Sequence, residues 1–314
     1  MERNMQVVEA EGLVKQYDGV RALDGATFTV SEGDLFALVG PNGAGKTTLM
    51  RMMTDILRPD QGTLRLFGKD RIADALSYIG YMPEERGLYK AITGLETVAY
   101  FAQLKGMNLK ESRDAAMEAL ARVGMEEHGK RKLEELSKGM AQRVQFAATI
   151  AHNPRLLILD EPFSGLDPVS SRFLQDVITR AKSEGRTIIL STHNLEHAER
   201  LCNRLLMLHR GKVRLYGGVA EIKERFTTRA YFLEYTGELP EWPDITVRRS
   251  EPGRATLEPQ GEVDRGEMLH RLVKANVDVI EFSPVTPSLE DIFIQVAGEE
   301  GAQALRETRA AAAA

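Results

Sequence analysis

From Gln6 to Val30 apolar and polar residues alternate in strand fashion, with Gly12, Gly19 and Gly25 as punctuation. Leu35-Phe36-Ala37-Leu38-Val39 is apolar without alternation, as in a strand buried on both faces. A glycine-rich turn follows, then a helical pattern over Lys46 to Leu57 that stops at Arg58-Pro59. Gly62 to Gly68 and Ile79 to Met82 read as short strands, the second broken by Pro83. Apolar residues then recur three and four apart over Thr93 to Gln103 and Leu109 to Val123, which predicts a helical insert. A third helix is expected from about Ser137 to Ala151, before Pro154. Leu156 to Leu159 and Thr187 to His193 are again apolar strands, and Leu205 to Leu208 before Gly211 opens a hairpin. Apolar strands alternating with helices predict an α/β fold with a mainly parallel sheet covered on both faces.

The character shifts after Phe226. Pro240, Pro243, Pro252, Pro259, Pro284 and Pro287 crowd a segment with strands expected at Ala230 to Tyr235, Ile245 to Arg249 and Ala255 to Leu257. A helix from Val263 to Ala275, a strand from Val277 to Phe282 and a helix from Ser288 to Ala297 complete a small α+β domain. The expected division is residues 1–225 for the first domain, with its helical insert at about 88–150, 226–298 for the accessory domain, and an alanine-rich tail over 299–314.

With 314 residues, 43% of them hydrophobic, the chain can bury two cores. Its net charge of -5 gives no general pull toward nucleic acid or an anionic membrane surface, and no nucleic-acid partner is expected. One cysteine, Cys202, cannot form an internal disulfide or a thiolate zinc cage, which suits a reducing, cytoplasmic compartment. Met1 to Met5 is polar, and no run approaches the roughly 18 apolar residues of a spanning helix. A membrane role therefore has to come through a partner.

The candidate chemistry centres on Gly40 to Thr48, G-P-N-G-A-G-K-T-T, which matches G-x-x-x-x-G-K-[ST] between a predicted strand and a predicted helix. Backbone N–H groups of Asn42, Gly43, Ala44, Gly45, Lys46, Thr47 and Thr48 can cradle phosphate oxygens, helped by the positive end of the helix dipole. Lys46 can reach the β/γ-phosphates and the Thr47 hydroxyl can bind Mg²⁺. Tyr17, in a turn ahead of this loop, can stack on a base, although a lone tyrosine more often simply packs.

Asp160 and Glu161 finish the Leu156 strand, and on an ideal strand they would face opposite ways and so do different work. Asp160 suits an outer-sphere contact to Mg²⁺, and Glu161, at the strand end set by Pro162, suits a general base toward water. Ser137 would cap its helix and form an anion site with the nearby N–H groups. His193 to His197 also matches the H-x-x-E-H pattern of some zinc peptidases, but the first histidine appears where a strand closes rather than on a helix.

Over residues 6 to 222 these features, in this order, resemble the ATP-binding cassette (ABC) ATPases. Leu136-Ser137-Lys138-Gly139-Met140 is similar to the family signature, Leu156 to Glu161 to its Walker B strand, Ser164-Gly165-Leu166-Asp167 to its D-loop, and His193 to its switch histidine. The resemblance implies a P-loop core with an antiparallel β subdomain, ATP and Mg²⁺ as ligands, and a head-to-tail homodimer that sandwiches two ATP molecules. In that arrangement Ser137 and Gly139 complete the partner's pocket, Asp167 crosses the interface, and His193 hydrogen-bonds the γ-phosphate; a buried structural histidine is the alternative.

Two departures stand out. Glu84 occupies the place of the usual Q-loop glutamine, where it could bind Mg²⁺ yet would repel the γ-phosphate unless the metal or Arg86 screens it. Lys138 and Met140 replace the usual glycine and glutamine of the signature. Pro83 to Tyr89 and Pro287 to Phe293 look like the exporter branch, including subunits for sodium or drug efflux. The expected function is thus an ATPase subunit, cytoplasmic and peripheral on the inner face of the cell membrane, driving export through a separate integral membrane permease. The alternative is a soluble ABC ATPase acting on ribosomes or nucleic acid.

Overall fold

In the computed structural model, which describes residues 5–85, 87–261 and 263–313, the alternating N-terminal segment forms two long strands, β1 (Gln6–Tyr17) and β2 (Val20–Ser31). After β3 (Leu35–Val39) and α1 (Lys46–Met53), β4 (Gln61–Leu66) pairs with the free edge of β1, giving a three-stranded antiparallel sheet of order β2-β1-β4. Helix α1 is shorter than its sequence pattern. Asp55 takes a left-handed conformation (φ 59), and the N–H groups of Ile56 and Leu57 turn back to the Arg51 carbonyl, which closes the helix end.

The central sheet collects β3 with β5 (Ile79–Met82), β6 (Leu156–Leu159), β7 (Thr187–Thr192), β8 (Arg204–His209) and β9 (Lys212–Gly218), in the order β5-β6-β7-β3-β8-β9. All neighbours are parallel except β8 and β9, the predicted hairpin. Strands β3, β6 and β7 are buried at every position, which is why their sequences show no alternation. Phe28 and Phe36 stack at 5.9 Å between the two sheets' residues in one apolar core.

The insert comprises α2 (Gly94–Leu104), α3 (Leu109–Arg122) and α4 (Lys138–Ile150). Thr93 with Glu96, and Asn108 with Glu111, form reciprocal capping boxes that satisfy the first free N–H groups of α2 and α3. Helices α5 (Pro168–Ser183) and α6 (Leu195–Leu201) follow β6 and β7, and α7 (Val219–Phe226) follows β9.

The chain divides into two compact units, Met1–Val219 with Phe293–Ala314, and Ala220–Ile292. In the second, β10 (Tyr231–Thr236), β11 (Ile245–Glu251), β12 (Arg254–Pro259) and β13 (Asp278–Pro284) form an antiparallel sheet of order β11-β12-β10-β13. Met268 and Leu272 of α8 (Arg265–Lys274) bury against Leu233, Ala255 and Leu257. Helix α9 (Leu289–Ala313) is broken at Gly298. Its residues from Phe293 onward belong to the first unit, whereas the sequence pattern assigned them to an accessory domain and a tail. The reason is local: the Phe293 ring, fully buried, packs edge-on against His209 at 5.9 Å.

Candidate nucleotide site

The carboxyl ends of β3, β5, β6 and β7 lie side by side, since Val39 pairs with Thr192, Leu159 with Leu190 and Met82 with Leu159. Chain that leaves these ends supplies the Gly40 loop, Glu84, the Asp160-Glu161 pair and His193. Ligand sites of open parallel sheets form at such ends.

Gly40 leaves β3 with φ 151, and a Cβ there would stand 2.2 Å from the Leu208 carbonyl oxygen. Gly45 has φ 108, and its Cβ would stand 2.4 Å from the Ala22 carbonyl. Both positions need glycine for conformation and for space. The Gly211 N–H donates to the Ala44 carbonyl at 3.1 Å, so the β8–β9 hairpin holds the loop from outside. Lys46 Nζ donates to the Gly40 and Pro41 carbonyls at 2.7 and 3.3 Å, folding the side chain across the loop.

Strand β6 ends at Leu159, and Glu161 takes φ 45. The strand-face argument therefore does not apply to the acidic pair, because the chain has already left strand geometry. This left-handed residue brings Glu161 Oε1 to 3.5 Å from Lys46 Nζ and Oε2 to 3.0 Å from His193 Nδ1. With a carboxylate as acceptor, Nδ1 carries the proton. Burial pushes the Glu161 carboxyl up, but the His193 hydrogen bond and the Lys46 charge outweigh it and hold the group below its usual range. Oε1 is buried without a hydrogen bond, in its ion pair with Lys46.

Asp160, 1% exposed, accepts from Ser191 Oγ at 2.6 Å, and the nearby Thr47 hydroxyl also favours its charged form. Burial nevertheless raises its carboxyl above the ordinary value. Ser191 also accepts from the Glu161 N–H at 2.8 Å, so one hydroxyl orients both acids. No sequence signal short of the β6–β7 register marks Ser191. Thr47 and Asp160 offer hard oxygen donors of the kind Mg²⁺ takes. Among the described residues no group of three His, Cys, Asp or Glu side chains could hold a metal ion.

Glu84 is exposed in the loop after β5, yet its carboxyl is raised, first by lost hydration and then by the negative charges of Glu161 and Asp160. Arg86, one of the two groups that could screen it, lies outside the described residues. Tyr17 ends β1, exposed, with Lys15 Nζ 5.6 Å from its ring centre.

Ser137, Gly139 and Asp167 are brought to one another rather than to Lys46. Ser137 Oγ accepts from the Met140 N–H at 3.2 Å as the cap of α4. A Cβ on Gly139 would stand 2.5 Å from Ser170 Oγ. Asp167 caps α5, accepting from the N–H groups of Val169 and Ser170 and from the Ser170 hydroxyl. His197 lies on α6 with its ring 5.0 Å from Phe163, whereas His193 precedes that helix and faces Glu161, so the zinc-peptidase pattern has no geometric counterpart.

Fold and site together define a phosphate-loop ATPase of the cassette type. The family described as ABC transporter matches residues 23–164, and the ATP-binding protein DrrA1-3-like C-terminal domain matches residues 217–297. The chain is 38% identical over 289 residues to an uncharacterized ABC transporter ATP-binding protein of Methanocaldococcus jannaschii, covering 91% of this chain and 98% of that one. It is 31% identical over 306 residues to the daunorubicin/doxorubicin resistance ATP-binding protein DrrA of Streptomyces peucetius, covering 93% of each. A solved cassette of Clostridium perfringens, cbiO1, part of an ABC transporter complex, superposes with a TM-score of 0.64 at 29% identity, over 70% of this chain and 91% of that one. This chain belongs to the ABC transporter ATP-binding proteins, and its second domain is of the DrrA-like kind.

Proposed function

We propose that this protein is the ATP-hydrolysing subunit of an exporter whose membrane-spanning part is a separate polypeptide. The observation that carries the enzymatic half is Glu161, held between Lys46 at Oε1 and His193 at Oε2, beside Thr47 and Asp160. Lys46 leaves the loop carbonyls for the β/γ-phosphates, and the N–H groups from Asn42 to Thr48 hold the remaining phosphate oxygens. Thr47 and Asp160, with Glu84 near them, would hold Mg²⁺, which supplies charge neutralisation on the phosphates. Glu161 accepts the proton of the attacking water, and His193 fixes that carboxylate and senses the terminal phosphate. Tyr17 stacks on the base. Ser137, Gly139 and Asp167 serve the second copy in a head-to-tail dimer.

Export is supported by relatives named for drug resistance and for Nod factor export. Among the described residues no helix is long and apolar enough to cross a membrane. The protein would sit at the inner face of the cell membrane through its permease. A cavity of about 120 Å³ beside the Glu84 loop, lined by Tyr81, Leu88, Phe101, Lys105, Gln145 and His152, would take a side chain of a permease helix in this reading. The test is ATP hydrolysis by the purified protein, alone and with the neighbouring permease in vesicles. Absence of turnover in both, with ATP bound, would remove the motor reading; co-sedimentation with ribosomes instead of membranes would remove the exporter.

A further inference from the structure

The phosphate loop has a neighbour that the cassette motifs do not supply. At Gly298 (φ 70, ψ −167) α9 breaks, and the chain folds back so closely that a Cβ on Gly301 would stand 2.3 Å from Ala297 Cβ and 3.2 Å from the Phe293 ring. Glu300 then ion-pairs with Arg210, the residue before the Gly211 that grips the loop at Ala44. Further on, Thr308 is 5% exposed; its O–H donates to the Ala304 carbonyl at 2.8 Å, and its oxygen accepts the Asn42 N–H at 3.4 Å.

A side-chain oxygen thus sits on an N–H of the loop that the proposed function assigns to phosphate oxygens. We propose that the segment from Phe293 onward is an autoinhibitory strap, seated on Asn42 and tethered through Glu300 to Arg210, which nucleotide must displace. The inference rests on the reading of this loop as the ATP site. One neutral hydrogen bond and one exposed ion pair bias such an equilibrium by up to about tenfold, so the strap would tune affinity rather than abolish it.

The test uses the full chain with two release variants remote from the site, Glu300→Arg and Gly301→Val, and the charge swap Arg210→Glu/Glu300→Arg. Binding of a fluorescent trinitrophenyl-ATP and tryptic cleavage after the exposed Arg306 are followed with and without MgATP. Both release variants should bind about 3–10-fold more tightly and be cut faster at Arg306. The swap should return both readouts to wild type, and MgATP should speed cleavage of the wild type. Affinity unchanged within twofold or weakened, or cleavage indifferent to bound ATP, overturns the strap alone. Failure of every folded variant and the wild type to bind ATP overturns the strap and the nucleotide site together.

Discussion

Glu161 Oε2 lies 3.0 Å from His193 Nδ1, a contact between the end of β6 and the end of β7 that fixes the carboxylate in one orientation. Its other oxygen is buried 3.5 Å from Lys46 Nζ, an ion pair too long for a hydrogen bond. The pair has the geometry of a base and its orienting group.

Glu161→Gln keeps the size and the hydrogen-bonding reach but removes the basic oxygen. Turnover of ATP should fall by about 10²–10⁴-fold while binding persists. Steady-state phosphate release alongside equilibrium nucleotide binding checks this; a loss under tenfold would assign the proton transfer elsewhere.

Ser191→Ala should act on stability first. Its hydroxyl is the partner of both the buried Asp160 carboxylate and the Glu161 N–H, and their loss leaves two polar groups unsatisfied. A cost of about 1–3 kcal/mol in urea denaturation is expected. A value near zero would mean that the two groups find other partners.

Gly40→Ala places a methyl 2.2 Å from the Leu208 carbonyl, a backbone atom that cannot turn aside. Destabilisation of about 1–3 kcal/mol and weakened ATP binding should appear together, because the loop and β8 must separate. Thermal denaturation with and without ATP reads both; an unchanged loop affinity would contradict the close approach.

Glu84→Gln tests the raised carboxyl. A folded pKa above the ordinary 4.5 means that the charge costs nothing below pH 4.5, that its cost grows as pH rises from 4.5 to the folded value, and that the cost is fully present above it. The amide variant lacks that charge. Its melting temperature should exceed the wild type's at pH 8, and the gap should close as pH falls toward 4.5. A gap of the opposite sign, or one independent of pH, would place Glu84 away from Asp160 and Glu161.

The legible part of the site was whatever lies within one short stretch. Gly40 to Thr48 could be recognised from spacing because its N–H groups act through consecutive backbone, and the buried strands announced themselves as runs without alternation. The candidacy of Glu161 came from its place at the strand end, but its orientation did not: alternation along an ideal strand put it opposite Asp160, while a left-handed φ at that residue set its actual direction. Ser191 carries no motif. Asp167 read as an interface residue, and within this chain its carboxylate caps α5, a local role that the motif did not show.

What the sequence determined by itself was local: which segments are strands or helices, and which residue types can meet a phosphate. Hydrophobic period, turn residues and caps act within about one turn or one strand, so they can be read one window at a time. What only the tertiary structure decided was which distant residues share a place, namely Lys46 with Glu161 and His193, and Thr308 with Asn42. Those meetings depend on strand order and on where a broken helix returns. Both are settled by burial of apolar surface across the whole unit, a quantity that no window of neighbouring residues contains.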